Sequence, residues 1–326
     1  MRNDDIARAA GILRSGGIVA FPTETVYGLG ADALNPQAVA RVFAIKRRPP
    51  DHPLIVHLPD VSYLKGWACD IPRAAYRLAE KFWPGPLTLI LKRSAIVPDN
   101  VTGGQDSVGL RVPGHPVALA LLEKFGGAVA APSANRFGHV SPTRAEHVLE
   151  ELGSEVDMIL DGGPCQVGLE STIVSLLDAR PLILRPGIIS RSMLAEALGE
   201  EVETGTAEKI NLRAPGMLAS HYAPRTPLHK VPSAELYERA FALVTQGQRV
   251  GVLTRQEGVH KPVLSPVEGP GLYYYLLPDD PKDYAHELYD TLRKADARRL
   301  DMLLIEELPQ DEAWLAVRDR VTRAAT

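Results

Sequence analysis

With 326 residues, 45% of them hydrophobic and 23% charged, the chain has apolar material for roughly two domains. A net charge of -4 excludes a protein whose main work is coating nucleic acid or an anionic membrane, because that work needs a positive surplus to release counterions. Cys69 and Cys165 form no CxxC pair, so neither a zinc site nor a disulfide framework is expected and a reducing cytoplasm fits. The opening MRNDDIARAA carries acids where a signal peptide carries cations, and no run of about 18 apolar residues occurs. No targeting segment and no membrane span are expected.

Residues 4–15 show a spacing near 3.6 and predict a helix, followed by a strand at GIVAF, 17–21. FPTETVYGLGADA then places Gly28, Gly30 and Ala33 in a GxGxxA pattern. A dinucleotide fingerprint turns directly out of its strand, whereas here a stretch with Thr23, Glu24, Thr25 and Tyr27 intervenes, so that reading is rejected. What remains is a hydroxyl-rich loop that either holds a small polar ligand or is a capped structural turn, its glycines allowing close approach or positive φ.

Asn35 caps a predicted helix over 36–46, and KRRPPDHP follows it. Lys46, Arg47 and Arg48 suit the negative end of a helix dipole. ProPro, however, forbids further helix, and Asp51, His52 and Pro53 turn the chain straight into the strand PLIVHL, 53–58. That junction puts Lys46 and Arg48 at a sheet rim, where they fit a phosphate clamp.

A helix over 72–83 and a strand LTLILK, 87–92, come next. SVGLRV, 107–112, sets Arg111 in an otherwise apolar strand, where a ligand carboxylate, an internal Asp or Glu, or an outward face are the open answers. A helix over 116–125 stops at Gly126, and the strand AVAA, 128–131, leads into APSANRFGHVSPTRAEHV. Ser133, Asn135, Ser141 and nearby amides fit an anion cradle, with Ser141 or Thr143 alternatively capping a helix over 143–152. A strand MILD, 158–161, a glycine-rich turn, Ser171 and Thr172 opening STIVSLL, and LILR ending in Arg185 complete this part, with a last helix at 190–198 between Ser190 and Gly199. Three strands fall between 158 and 185 with no helix among them, so an α/β fold with a twisted, mixed parallel and antiparallel open sheet is expected.

Residues 200–232 show no sustained period and read as a long linker. A second, smaller α/β unit follows: helix 233–246, strands 249–254 and 272–277, helix 282–298, strand 302–308 and helix 311–324. The chain has no GxxxxGK[ST], HExxH or GxSxG and no close Cys/His cluster, which disfavours metal or base-driven hydrolysis. The inventory suits a site that holds anions and a small polar molecule and works by positioning and charge.

In order, FPTETVYGLG, Lys46 and Arg48 with PLIVH, FWPGPLTLIL, GLRVPGHP, APSAN with SPT, GLESTIV and LRPG resemble the YrdC-like threonylcarbamoyl-AMP synthases. The SHYAP stretch at 220–224 and the small second unit are similar to the family's longer, two-domain form. The resemblance implies a YrdC-like catalytic domain over 1–204, a linker and lid over 205–231, and a Rossmann-like domain over 232–326 that restrains the lid. It implies a nucleotidyltransferase joining L-threonine, bicarbonate and ATP into threonylcarbamoyl adenylate, with Mg²⁺ held mainly by the ATP phosphates. Thr25, His57, Arg111, the Ala131 backbone and Ser171 match the threonine site. Lys46, Arg48, His52, Ser133, Asn135, Ser141, Arg185 and Tyr222 match the ATP site, His52 standing where the family often has Asn. No residue is assigned as general acid or base; Lys46, Arg48 and Arg111 act by charge and position. The implied partner is the tRNA threonylcarbamoyl transferase machinery, with only weak contact to tRNA or double-stranded RNA and none to a membrane. Two other readings use the same residues. One is an RNA-binding module on a basic concave surface. The other is a hydrogenase-maturation carbamoyl-transfer domain, which normally carries acylphosphatase-like and zinc-finger segments that are not visible here.

Overall fold

The computed structural model describes residues 3–205, 213–216, 222–255 and 271–325. The chain divides into two compact units, Met1–Phe137 with Ser141–Met217, and Gly138–Val140 with Leu218–Thr326.

The first unit holds strands β1 (Val19–Phe21), β2 (Gly28–Asp32), β3 (Ile55–His57), β4 (Leu87–Lys92), β5 (Ser107–Arg111), β6 (Val129–Ala130), β7 (Met158–Ile159), β8 (Thr172–Ser175), β9 (Leu182–Arg185) and β10 (Glu203–Thr204). They form one sheet in the order β10-β9-β8-β4-β5-β3-β6-β2-β1-β7. β3 runs parallel to β5 and β4 to β8, while β4–β5, β3–β6 and β1–β2 are antiparallel. The sheet is mixed, as expected.

Alternation along the strands divides the work between two faces. Ala20, Leu29, Ala31, Val56, Leu89, Leu110 and Val174 point to one face, where they form the main core with residues of helices Pro36–Lys46, Arg73–Phe82 and Arg191–Leu198. Val19, Phe21 and Val129 point to the other face, at one end of the sheet, under helices Asn3–Arg14 and Pro116–Phe125. At its other end, the second face carries a small apolar patch of Ile55, Ile90, Ile173 and Leu184. That patch is met by Ala214, and no helix contributes to it among the described residues. A sheet face without a covering helix is where this fold can receive a ligand.

The expected helix ends hold at several points. Asn35 accepts from the N–H groups of Gln37 and Ala38, Ser190 accepts from Met193, and Gly126 and Gly199 take the left-handed conformation that ends a helix. Three readings need correction. The glycine-rich stretch expected to be loop is strand β2, because Gly28 and Gly30 leave room on one face for Phe21 while Leu29 and Ala31 fill the core on the other. The helix expected from 143 starts at Ala145. Neither Ser141 nor Thr143 caps it; the Thr143 N–H instead donates to His147 Nδ1.

The second unit has four parallel strands, β11 (Leu228–Val231), β12 (Val250–Arg255), β13 (Leu272–Leu277) and β14 (Met302–Glu306), in the order β11-β14-β12-β13. β10 and β11 both lie in the stretch read as aperiodic linker, so its ends are ordered sheet. Among the described residues no helix is long and apolar enough to cross a membrane.

A Cβ at Gly30 would stand 2.7 Å from the Phe21 ring and 2.8 Å from Val129. Gly30→Ala is therefore expected to lower stability by about 1–3 kcal/mol. Chemical denaturation measures this directly, and an unchanged midpoint would mean that the Phe21 ring moves aside at no cost.

Candidate functional site

The KRRPP junction is built by a backbone reversal. Arg47 takes φ 53 at the helix C-cap, and the N–H groups of Arg47 and Arg48 return to the Ala44 and Phe43 carbonyls. This left-handed residue sends Lys46 and Arg48 inward and leaves Arg47 exposed. Both inward cations are buried beyond anything that helix-dipole compensation requires. Lys46 Nζ donates to the carbonyl oxygens of Ser133 at 2.5 Å and Asn135 at 2.6 Å. Arg48 donates to the Pro53 carbonyl at 2.9 Å and lies over the Phe137 ring, which His52 meets edge-on. Burial, with Arg48 close by, pushes the Lys46 amine well below its usual range.

A second group sits at the C-terminal ends of the parallel strands β3 and β5. His57 and Arg111 are register partners there. The Arg111 guanidinium donates through Nε to the Gly85 carbonyl at 3.1 Å and through Nη1 to Thr25 Oγ1 at 2.9 Å. Its Nη2 approaches Glu24 Oε1 at 2.6 Å, an ion pair whose hydrogens are not aligned for a hydrogen bond. Of the answers left open for Arg111, an internal carboxylate is thus present. Glu24 gave no sequence signal of this, because an acid in a polar loop is ordinary. His57 is buried edge-on to Phe21, and its Nδ1 has no hydrogen-bond partner. Desolvation and the Arg111 charge push its pKa down to about 3, so the ring is neutral. Ala131 joins this group through its N–H, which donates to the Ile55 carbonyl.

Row by row, the sheet carries the site onward. Thr88 follows Leu89's pairing with Leu110 by one residue and so lies beside Arg111, then pairs with Ile173, which pairs with Arg185. Ser171 Oγ meets Thr88 Oγ1 at 2.7 Å, and the Arg185 fork grips the Ser171 carbonyl through Nε and Nη2 at 3.1 and 2.9 Å. Arg185 Nη1 also donates to the Pro215 carbonyl. Thr88 was missed by the sequence reading, although a threonine within LTLILK was the available signal. Ser141 is fully buried and donates to Glu170 Oε1 at 2.6 Å instead of capping a helix. Ser133 reaches β2 through a bridge to Gly28, and Asn135 is fully buried beside Lys46.

Tyr222 belongs to the second unit, where it is buried, stacks on Tyr289 and lies under the Arg320 guanidinium. Of the expected linker and lid, 206–212 and 217–221 lie outside the described residues. Residues 213–216 pack within the first unit. Arg213 pairs with Asp51 at 3.0 Å and exchanges two backbone hydrogen bonds with the Gln105 amide, and Ala214 rests on the apolar patch.

The charge balance is uneven. Lys46, Arg48, Arg111 and Arg185 are 2, 7, 4 and 3% exposed, against the first unit's buried carboxylates Glu24 and Glu170 at 4 and 7%. Carbonyl oxygens satisfy the hydrogen bonds of these cations without neutralising their charge. Buried cations of this kind suit an anion carrying several charges, and beside Arg111 they stand next to a neutral imidazole and small hydroxyls.

A family model described as telomere recombination matches residues 11–187, and one described as threonylcarbamoyl-AMP synthase, C-terminal domain, matches 189–326. The threonylcarbamoyl-AMP synthase of Bacillus subtilis is 42% identical over 98% of this chain and 92% of its own length. That of Pyrococcus abyssi is 38% identical over 97% of this chain and 93% of its own length. The crystal structure of a P. abyssi relative complexed with L-threonine superposes with a TM-score of 0.91, covering 100% of this chain and 95% of that one at 37% identity. With relatives this similar over nearly its full length, the chain belongs to the threonylcarbamoyl-AMP synthase family.

Proposed function

We propose that the chain joins L-threonine, bicarbonate and ATP into L-threonylcarbamoyladenylate, diphosphate and water, acting as a nucleotidyltransferase. The observation that carries this reading is the set of four buried cations, Lys46, Arg48, Arg111 and Arg185, against two buried carboxylates among the described residues of the same unit. The P. abyssi relative's complex with L-threonine supports the amino-acid half. Threonine's amine and bicarbonate first give a carbamate, with loss of water. A carbamate oxygen then attacks the α-phosphorus of ATP, the bond to the β-phosphate oxygen breaks, and diphosphate leaves. Nothing in this sequence of steps requires a side-chain nucleophile.

In this reading Arg111 takes the threonine carboxylate in a forked pair, oriented by its bonds to Gly85 and Thr25. Thr25, neutral His57, the Ala131 backbone and Ser171 surround the rest of the amino acid. Lys46, Arg48, His52, Ser133, Asn135, Ser141 and Arg185 receive the nucleotide. Mg²⁺ neutralises the triphosphate when bound. Among the described residues no group of three His, Cys, Asp or Glu could hold an ion. The hydroxyl and amide oxygens of Ser133, Asn135 and Ser141 are hard donors compatible with an ion carried on the phosphates. The labile adenylate goes to a separate transferase acting on tRNA, in the cytoplasm, to give the threonylcarbamoyladenosine of tRNAs reading codons that begin with A.

An RNA-binding module fits less well. Polyanion backbones need exposed cations, whereas these four are buried and the net charge is -4.

Mass spectrometry of the purified chain with ATP, Mg²⁺ and bicarbonate is expected to find threonylcarbamoyl adenylate with threonine and far less product with serine. Arg111→Ala and Lys46→Ala are each expected to lower kcat/KM for threonine-dependent diphosphate release by about 100-fold or more. If both variants kept wild-type rates, the site assignment would fail. His57 makes a separate statement about stability. Its folded pKa of about 3 lies below the ordinary 6.5, so the unfolded chain binds the extra proton between those values. Stability is therefore expected to rise with pH from about 3 to 6.5 through this residue and to be flat above. Denaturation midpoints across that window should lose part of their slope in His57→Asn, and an unaltered slope would show that His57 is not held neutral.

A further inference from the structure

The geometry points to Glu24 as a positioning residue for the threonine site: its carboxylate fixes the orientation in which Arg111 meets the substrate carboxylate. This rests on the reading above that Arg111 receives threonine. Glu24 ties three segments that are distant in sequence. Oε1 lies 2.6 Å from Arg111 Nη2, and Oε2 accepts from the Gly114 N–H at 2.8 Å. Its backbone carbonyl accepts from Val167 at 2.7 Å, in the loop that leads to Ser171. The adjoining Thr25 accepts from Arg111 Nη1, while Thr23 Oγ1 meets Thr25 Oγ1 at 2.8 Å.

Space around the carboxylate is fitted to it. A Cβ at Gly114 would come within 3.3 Å of the Glu24 carboxyl carbon, so the glycine in VPGHP is what lets that carboxylate lie where it does. Glu24 is buried with Arg111, which removes solvent competition and gives the pair a single arrangement. Nη2 and Oε1 form a buried ion pair at 2.6 Å, and the five N–H groups of the guanidinium exceed the two that Gly85 and Thr25 accept. A guanidinium held by a carbonyl, a hydroxyl and a carboxylate, with donors to spare, is oriented before substrate arrives. Glu24 thereby sets threonine affinity without touching the nucleotide.

The test uses the full chain. Glu24→Gln keeps the shape and an acceptor for Gly114 but removes the charge; Glu24→Asp keeps the charge and withdraws it. Diphosphate release is measured against threonine at saturating ATP, and against ATP at saturating threonine. In Glu24→Gln the threonine KM is expected to rise roughly tenfold or more, with the ATP KM within about twofold of wild type. Glu24→Asp is expected to recover part of that loss. In an Arg111→Lys background, Glu24→Gln should add little, because a lysine amine has no fork to orient. An unchanged threonine KM in Glu24→Gln overturns the proposal, and so does an equal rise in both KM values, which marks a general scaffold role. Should Glu24→Gln fail to fold, Gly114→Ala displaces the same carboxylate and is read by the same split. If the wild-type chain releases no diphosphate with threonine, the functional reading falls instead. A crystal structure of Glu24→Gln then decides the matter, a displaced Arg111 guanidinium supporting the positioning role and an unmoved one overturning it.

Discussion

Burying positive charge, and finding an acceptor for each of its hydrogens, is the constraint from which the rest of the first unit follows. A desolvated cation needs every hydrogen found an acceptor, and here the acceptors are mostly backbone carbonyls: Ser133 and Asn135 for Lys46, Pro53 for Arg48, Gly85 for Arg111, Ser171 and Pro215 for Arg185. Each of those carbonyls lies in a turn or at a strand end, and the turns rich in Pro and Gly are shaped to aim them inward. Burial first, and then the neighbouring Arg48 charge, push the Lys46 amine well below its usual range.

Local chain chemistry supplies the precision. Arg47 occupies a left-handed conformation that L-residues other than Gly and Asn seldom take, at a cost of about 1 kcal/mol. The return is that two cations separated by one residue come off the same helix end and are both buried. The following prolines keep the helix from continuing and set the direction of β3, whose last residue is His57.

Much of this was legible in the sequence, for reasons specific to each residue. Lys46 and Arg48 stood out because prolines followed the cations, and Arg111 because a charge interrupted an apolar strand. Asn35, Ser190, Gly126 and Gly199 gave local signals, since cap chemistry involves neighbours within a turn. Glu24 was not legible as a partner for Arg111, because pairing across different loops leaves no periodic trace. Strand β2 was hidden because its glycines answer to Phe21 and Val129 rather than to strand propensity. Strand β11, LHKV, was hidden because two polar residues mask its apolar ends. Ser141 looked like a cap by position, yet a buried carboxylate at Glu170 took its hydroxyl.

Alternation along β3, β4, β5 and β8 has a consequence for how such a protein can change. His57, Thr88, Arg111 and Ile173 face the side away from the main core, while Val56, Leu89, Leu110 and Val174 between them belong to it. A slip of register by one residue would exchange the two sets, so a chain with the wrong site is also a chain with the wrong core and does not persist folded. Single substitutions on that other side leave the packed side untouched. Selection can therefore retune what the face accepts one position at a time, while the interior vetoes every variant in which the strands are misaligned.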